Sequence, residues 1–165
     1  MKLIFVSSLL FVIMLGACQV DEVDSYNWGG RLGNSVQIGV DIISVDIADT
    51  PELRMIGLSE HERLDEGSGM LFVYSKAGSR AFWMKGMEFP LDIIWITSDC
   101  RIGKVTENVQ VPNYENVNDT GYRTYESDGP VQFVLEVNSG YADEHNVRAG
   151  DAVVFLGPLT EDYQC

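Results

Sequence analysis

Residues 82–96 read FWMKGMEFPLDIIWI, two apolar stretches with a lysine at the end of the first and the segment Met87–Pro90 between them. Alternation of period two puts Phe82, Met84, Leu91, Ile93 and Trp95 on one face, and Trp83, Lys85, Asp92, Ile94 and Ile96 on the other. The first set makes a core face. The spacing predicts an antiparallel hairpin of residues 81–86 and 91–97, with Gly86 opposite Leu91 and Lys85 opposite Asp92. Stripping an ammonium of water costs several kcal/mol, so a lysine in this setting calls for a carboxylate or a task. The bridge to Asp92 is one account. The other is that Lys85, with Trp83 and Arg54, lines a pocket for a small anionic or sugar-like ligand, the lysine as a point charge and the tryptophan as a flat platform.

Outward from this stretch, short strands and turns continue. In residues 35–47, Val36, Ile38, Val40 and Ile42 keep one phase, and Ile43, Val45 and Ile47 take the other, which predicts a long strand with a bulge near Ile42 and Ile43. Thr50 is a good N-cap, Pro51 suits the first helical position, Glu52 complements the helix dipole, and Gly57 ends the helix after about two turns. Further strands are expected at 70–74, 81–85, 91–97, 101–106, 132–137 and 151–156, with a long polar loop at 112–130. No amphipathic helix of three or more turns is available as a crossover. The pattern predicts a mostly β fold, a compact sandwich or jelly-roll-like barrel with one or two short helices.

Several motifs occur together in order: Ala48-Asp49-Thr50, Arg54 with Gly57-Leu58, Gly69-Met70-Leu71-Phe72, Phe82-Trp83-Met84-Lys85, Pro90-Leu91-Asp92-Ile93-Ile94, Val134-Leu135-Glu136-Val137 with Gly140, and Gly150-Asp151. In this combination the chain resembles the family known as domain of unknown function 192, over roughly residues 36–156. The resemblance implies a compact, mostly β, jelly-roll-like domain, often exported, and no established activity. The chain departs from the family pattern at Ser59, where methionine is usual, at Gly86-Met87, where a polar pair is usual, and at Cys100, where glycine is usual.

The N-terminus has its own logic. Lys2 followed by LIFVSSLLFVIML is the size of a signal-peptide core, and Leu15-Gly16-Ala17-Cys18 resembles a lipobox. The expected organisation is a lipoprotein signal at 1–17, a lipidated tether at 18–34, one β-rich domain at 35–157 and a tail at 158–165. Lipid on Cys18 would hold the chain in a bilayer, and Gln19 lacks the aspartate that retains lipoproteins in an inner membrane, which favours an outer membrane. In an oxidising compartment Cys100 and Cys165 are a candidate disulfide, contributing about 4 kcal/mol on the chain-entropy model if their Cα atoms come within reach.

With 25 Asp and Glu against 11 Lys and Arg, the formal charge of −14 argues against a nucleic-acid partner. The chain has no G-x-S-x-G elbow, P-loop or dinucleotide fingerprint, and His61 and His145 have no metal-ligand spacing, so neither cofactor nor metal is expected. Glu88, Asp92, Glu136 and Asp151 could converge as a hydrolytic carboxylate pair. Glu136, inside an apolar strand, is otherwise the expected partner of Arg54, and Asp151 a turn residue bonding its own backbone. The leading expectation is an envelope binding or interaction module. The alternatives are a carboxylate-based hydrolase and a purely structural lipoprotein that meets other envelope proteins.

Overall fold

A computed structural model describes residues 33–113 and 123–165. The segment expected to be a signal peptide, Cys18 and most of the expected tether lie outside the described residues, as does the middle of the 112–130 loop.

The chain is mostly β, as the strand pattern predicts. Among the described residues nine strands form: β1 Ser35–Ile38, β2 Asp41–Ala48, β3 Ser68–Gly78, β4 Ala81–Trp83, β5 Leu91–Ile96, β6 Ile102–Val109, β7 Thr124–Glu126, β8 Val131–Asn138 and β9 Val153–Leu156. Three short helices accompany them among the described residues: α1 Pro51–Ile56, α2 Tyr141–Glu144 and α3 Leu159–Asp162. Seven strands make one curled sheet in the order β6-β5-β8-β3-β2-β1-β9, while β4 and β7 pair separately. Its two edge strands meet at one end, where Arg101 bridges Ala152 and the Ile102 amide donates to the Asp151 carbonyl at 3.0 Å. The curl therefore approaches a barrel without closing along its whole length.

Closure separates two cores. The inner one takes Ile43, Leu71, Ile94, Ile96, Phe133, Leu135 and Phe155, among others, with Phe133 edge-on to Phe155 at 4.9 Å. The outer one takes Leu58, Met70, Phe72, Met84, Met87, Leu91, Ile93, Trp95 and Val134, with Phe82 packed against it. The alternation read in residues 91–96 thus divides the two cores residue by residue.

Three expectations need correction. Residues 35–48 form a hairpin rather than one bulged strand: Val36 pairs with Ile43 and Ile38 with Asp41, with Gly39 at φ 62° and Val40 exposed at the turn. The phase slip at Ile42 and Ile43 is the reversal of the chain. Strands β2 and β3 pair in parallel, so a crossover exists after all, built from the short α1 and an irregular connection. Residues 81–86 and 91–97 do not pair. Both edges of β5 are taken, by β6 and β8, and β4 lies against β7, a strand missed inside the polar loop.

Helix α1 forms as its caps dictate. Thr50 Oγ1 accepts from the Leu53 amide at 3.2 Å, and Gly57 leaves the helix at φ 53°. The C-terminal residues are fastened to the domain: α3 packs Leu159 into the inner core, and a disulfide joins Cys165 to Cys100 with their Cα atoms 5.1 Å apart. Cys100 itself stands at φ 61°, a left-handed conformation that costs a residue with a Cβ roughly 1 kcal/mol.

Candidate functional site

The outer core is not sealed. Between α1, the turn after it, β3, β4 and the segment around Met87 lies a cleft of about 350 Å³. Its apolar walls include Met55, Ile56, Leu58, Phe72, Phe82 and Met87, and Phe82 stands edge-on to Phe72 at 4.7 Å and to Trp95 at 5.5 Å. Trp83 is 41% exposed at its edge. Backbone geometry keeps the space open, since a Cβ on Gly57 would come within 3.3 Å of the Phe72 ring.

Glu136 reaches this cleft from β8. It is only 4% exposed, and Gly69 on the neighbouring strand β3 lets the two backbones come close, since a Cβ there would sit 2.7 Å from the Glu136 carbonyl oxygen. Among the described residues no ion pair reaches its carboxyl, and burial pushes its pKa up to about 8. At neutral pH it is therefore largely protonated and able both to donate and to accept a hydrogen bond.

The expected pairing of Glu136 with Arg54 is not formed. Arg54 Nη1 instead donates to the Asp49 carbonyl and, at 2.8 Å, to the Val73 carbonyl, which pins α1 to the sheet. Its guanidinium lies 4.8 Å from the centre of the Tyr74 ring, and that of Arg80 lies 3.8 Å from the same ring. Burial raises the Tyr74 phenol above its ordinary pKa, and the two arginines pull it partly back. Lys85 is exposed and lines the same cleft. Among the described residues the lining thus holds two cations and one acid, the reverse of the balance in the whole chain.

Of the five candidate ligand residues, Arg54, Trp83, Lys85 and Glu136 come together here. Asp92 does not. It faces the inner side of the sheet, fully buried, where its carboxylate accepts from the Asn108 amide at 2.8 Å and the Ala142 amide at 2.9 Å. Both donors would otherwise be orphans, one at an irregularity of β6 where Asn108 has φ 53°, the other at the start of α2. The bridge to Lys85 is thereby replaced by backbone capping. Nor do the four acids converge: Glu136 alone among them lines the cleft, and Asp151 accepts from the Arg148 amide in its own turn at 2.8 Å. Tyr74, Phe72 and Met55 were not singled out from the sequence, because only the parallel β2–β3 pairing brings them to α1.

The family model for domain of unknown function 192 (DUF192), described as "Uncharacterized ACR", matches residues 34–155. The chain belongs to this family. Two of its departures from the family pattern meet at the cleft: a Cβ on Gly86 would lie 3.2 Å from Ser59 Cβ, and Ser59 and Met87 both line the cavity. No protein of curated function matches the chain. Among solved structures it is similar to a candidate transcription regulator from Sinorhizobium meliloti 1021, with a TM-score of 0.67 and 26% identity over 75% of this chain and 95% of that one. A protein of unknown function from Novosphingobium aromaticivorans gives a TM-score of 0.64 and 26% identity over 73% of this chain and 81% of the other.

Proposed function

We propose that this DUF192 domain is a binding module of the cell envelope, held at a membrane through lipid on Cys18, whose cleft takes a small anionic or sugar-like ligand. The observation that carries this reading is a buried acid, Glu136, at an apolar cleft whose other charged lining groups, Arg54 and Lys85, are cationic. Sites for small molecules combine such apolar walls with a few convergent polar groups. In a chain of formal charge −14, a cation-lined recess is a local exception that concentrates anions.

Catalysis by a carboxylate pair is the weaker reading, because Glu136 is the only acid lining the cleft among the described residues. The regulatory role in the description of the Sinorhizobium neighbour fits this chain poorly, since its acidity repels a phosphate backbone.

Two experiments test the proposal. Saturable binding by the full-length chain across a panel of glycans and small acids, lost in Lys85→Met with folding retained, supports the module. Turnover abolished in Glu136→Gln would favour a hydrolase, and co-purifying envelope proteins without any small ligand would favour a structural role. For the anchor, Cys18→Ala is expected to release the protein from membranes under alkaline wash, and continued retention would remove the lipid from the proposal.

A further inference from the structure

A buried acid whose hydrogen bonds the fold has not used can serve a ligand in two ways, as a carboxylate that accepts or as an acid that donates. Resting on the proposed binding role, we infer that Glu136 acts as the donor, that its ligand is a small monocarboxylate with an apolar body, and that the cleft therefore takes up anion and proton together.

The surroundings of Glu136 carry the first part of this inference. On β8 it stands between two apolar cross-strand neighbours, Met70 of β3 and Ile93 of β5. Among the described residues neither an ion pair nor a hydrogen bond reaches its carboxyl. The titratable groups that line the cleft with it are Arg54 from α1, Tyr74 from β3 and Lys85 from the segment after β4. Burial raises the Tyr74 phenol, which keeps its proton, and burial alone governs Glu136. A neutral carboxyl here has one O–H to give. Its strongest acceptor is an ionised oxygen, because a charge-assisted hydrogen bond is roughly twice as strong as a neutral one. Two carboxyl groups in contact at a dry site share one proton rather than both ionise.

The sign of the charge and the walls carry the second part. Arg54 and Arg80 both lie over the Tyr74 ring, and their hydrogen bonds go to neutral carbonyls, of Asp49 and Val73 for the first and of Lys76 for the second. Neither forms an ion pair among the described residues, so both keep their charge and act on the cleft through space, without being offered to the ligand as contacts. That field favours an anion. An amine would meet it unfavourably and would need Glu136 ionised. The apolar walls, Met55, Ile56, Leu58, Phe72, Phe82 and Met87, supply no hydrogen-bonding side-chain group beyond a weak thioether acceptor. A hexose brings a hydroxyl on nearly every ring carbon, and those turned to these walls would be buried without partners. A hydrocarbon body gains from the same burial, and a cavity of about 350 Å³ suits a single ring.

The test is calorimetric titration of the full-length chain with four probes built on a single six-membered ring: benzoate, benzamide, benzylamine and galactose. Titrations in two buffers of different ionisation enthalpy count the protons exchanged. Benzoate is expected to bind tightest. Its binding takes up about half a proton at pH 8, where Glu136 is about half ionised, and close to none at pH 6. Its affinity falls by about tenfold from pH 7 to pH 9, as the acid form of Glu136 is depleted. In Glu136→Gln the uptake disappears and the affinity stays level over that range. Benzoate bound without uptake, or with an uptake that survives in Glu136→Gln, would remove Glu136 from the contact. Benzylamine bound tightest, with protons released, would reverse the sign of the ligand. Benzamide or galactose bound more tightly than benzoate would overturn the ligand class while the binding role stands. If none of the four binds, the inference falls, and the wider glycan and acid panel decides whether the binding role falls with it.

Discussion

Asp92 and Glu136 lie on adjacent strands, β5 and β8, both almost fully buried, yet the sheet turns one carboxyl to each side. On the inner side Asp92 completes the backbone: two amides that the fold leaves without partners donate to its two oxygens. On the outer side, among the described residues, Glu136 is spent on nothing comparable, and its environment answers by holding a proton on it. Burial alone does not mark a functional acid; what matters is whether the fold has already used its hydrogen bonds. The two faces can be driven apart experimentally.

The largest effect is expected at Asp92. Asp92→Ala leaves the Asn108 and Ala142 amides without acceptors, and at roughly 1–3 kcal/mol for each buried unsatisfied donor the loss should be about 4 kcal/mol. Urea unfolding at pH 7 measures it. A loss below about 1 kcal/mol would mean that water or backbone adjustment replaces the carboxylate, and the contrast between the faces would disappear. Next comes the disulfide, which belongs to the inner side because Cys165 packs against that core. Cys100→Ser with Cys165→Ser opens a loop spanning 65 residues and should cost up to about 4 kcal/mol. Affinity of the cleft should be little changed, since neither cysteine lines it.

Glu136→Gln should act in the opposite direction, and only over part of the pH range. Its carboxyl titrates near 4.5 when unperturbed and near 8 in the fold. Between these values the folded chain keeps a proton that the unfolded chain has released, so stability is full below about pH 4.5 and declines as pH rises through about 8. Glutamine removes that titration. At pH 9 the variant should therefore be the more stable of the two, with the difference shrinking toward pH 5. Paired unfolding curves at pH 5, 7 and 9 isolate the effect, because all other titrating groups are common to both proteins. Equal stabilities at pH 9 would show that Glu136 ionises at no cost, and it would then be no different from a satisfied acid.

The sequence carried the alternation of β5 in full, because a strand buried on both faces writes its two cores as successive residues: Leu91, Ile93 and Trp95 outward, Ile94 and Ile96 inward. It also carried α1 with its Thr50 and Gly57 caps, since capping is local chemistry. It misled about pairing. Closeness in sequence and opposite charge made Lys85 and Asp92 look like partners, whereas β8, which pairs one edge of β5, comes from far along the chain. Long-range pairing leaves no local mark. The cleft was half legible for the same reason: Arg54, Trp83, Lys85 and Glu136 stood out as charged or aromatic residues in motif-bearing segments, but Tyr74 and Phe72 enter only through the parallel register that sets Ala48 beside Phe72.

The smallest expected stability change is at Lys85, and it separates the hairpin reading from the cleft reading most directly. Had Lys85 faced Asp92 in a buried pair, cutting it to methionine would have stranded a charge and cost about 3–5 kcal/mol. In the fold observed, Asp92 is held by two amides on the inner side, and Lys85 lies exposed at the outer cleft. A surface substitution of this kind falls within about 0.5 kcal/mol of neutral. Lys85→Met should therefore melt with the native chain, and combining it with Asp92→Ala should give the sum of the two single effects rather than a rescue. Additivity is the informative outcome, because residues set on opposite faces of a sheet couple only where a contact joins them. A coupling above about 1 kcal/mol would overturn that separation of the two faces.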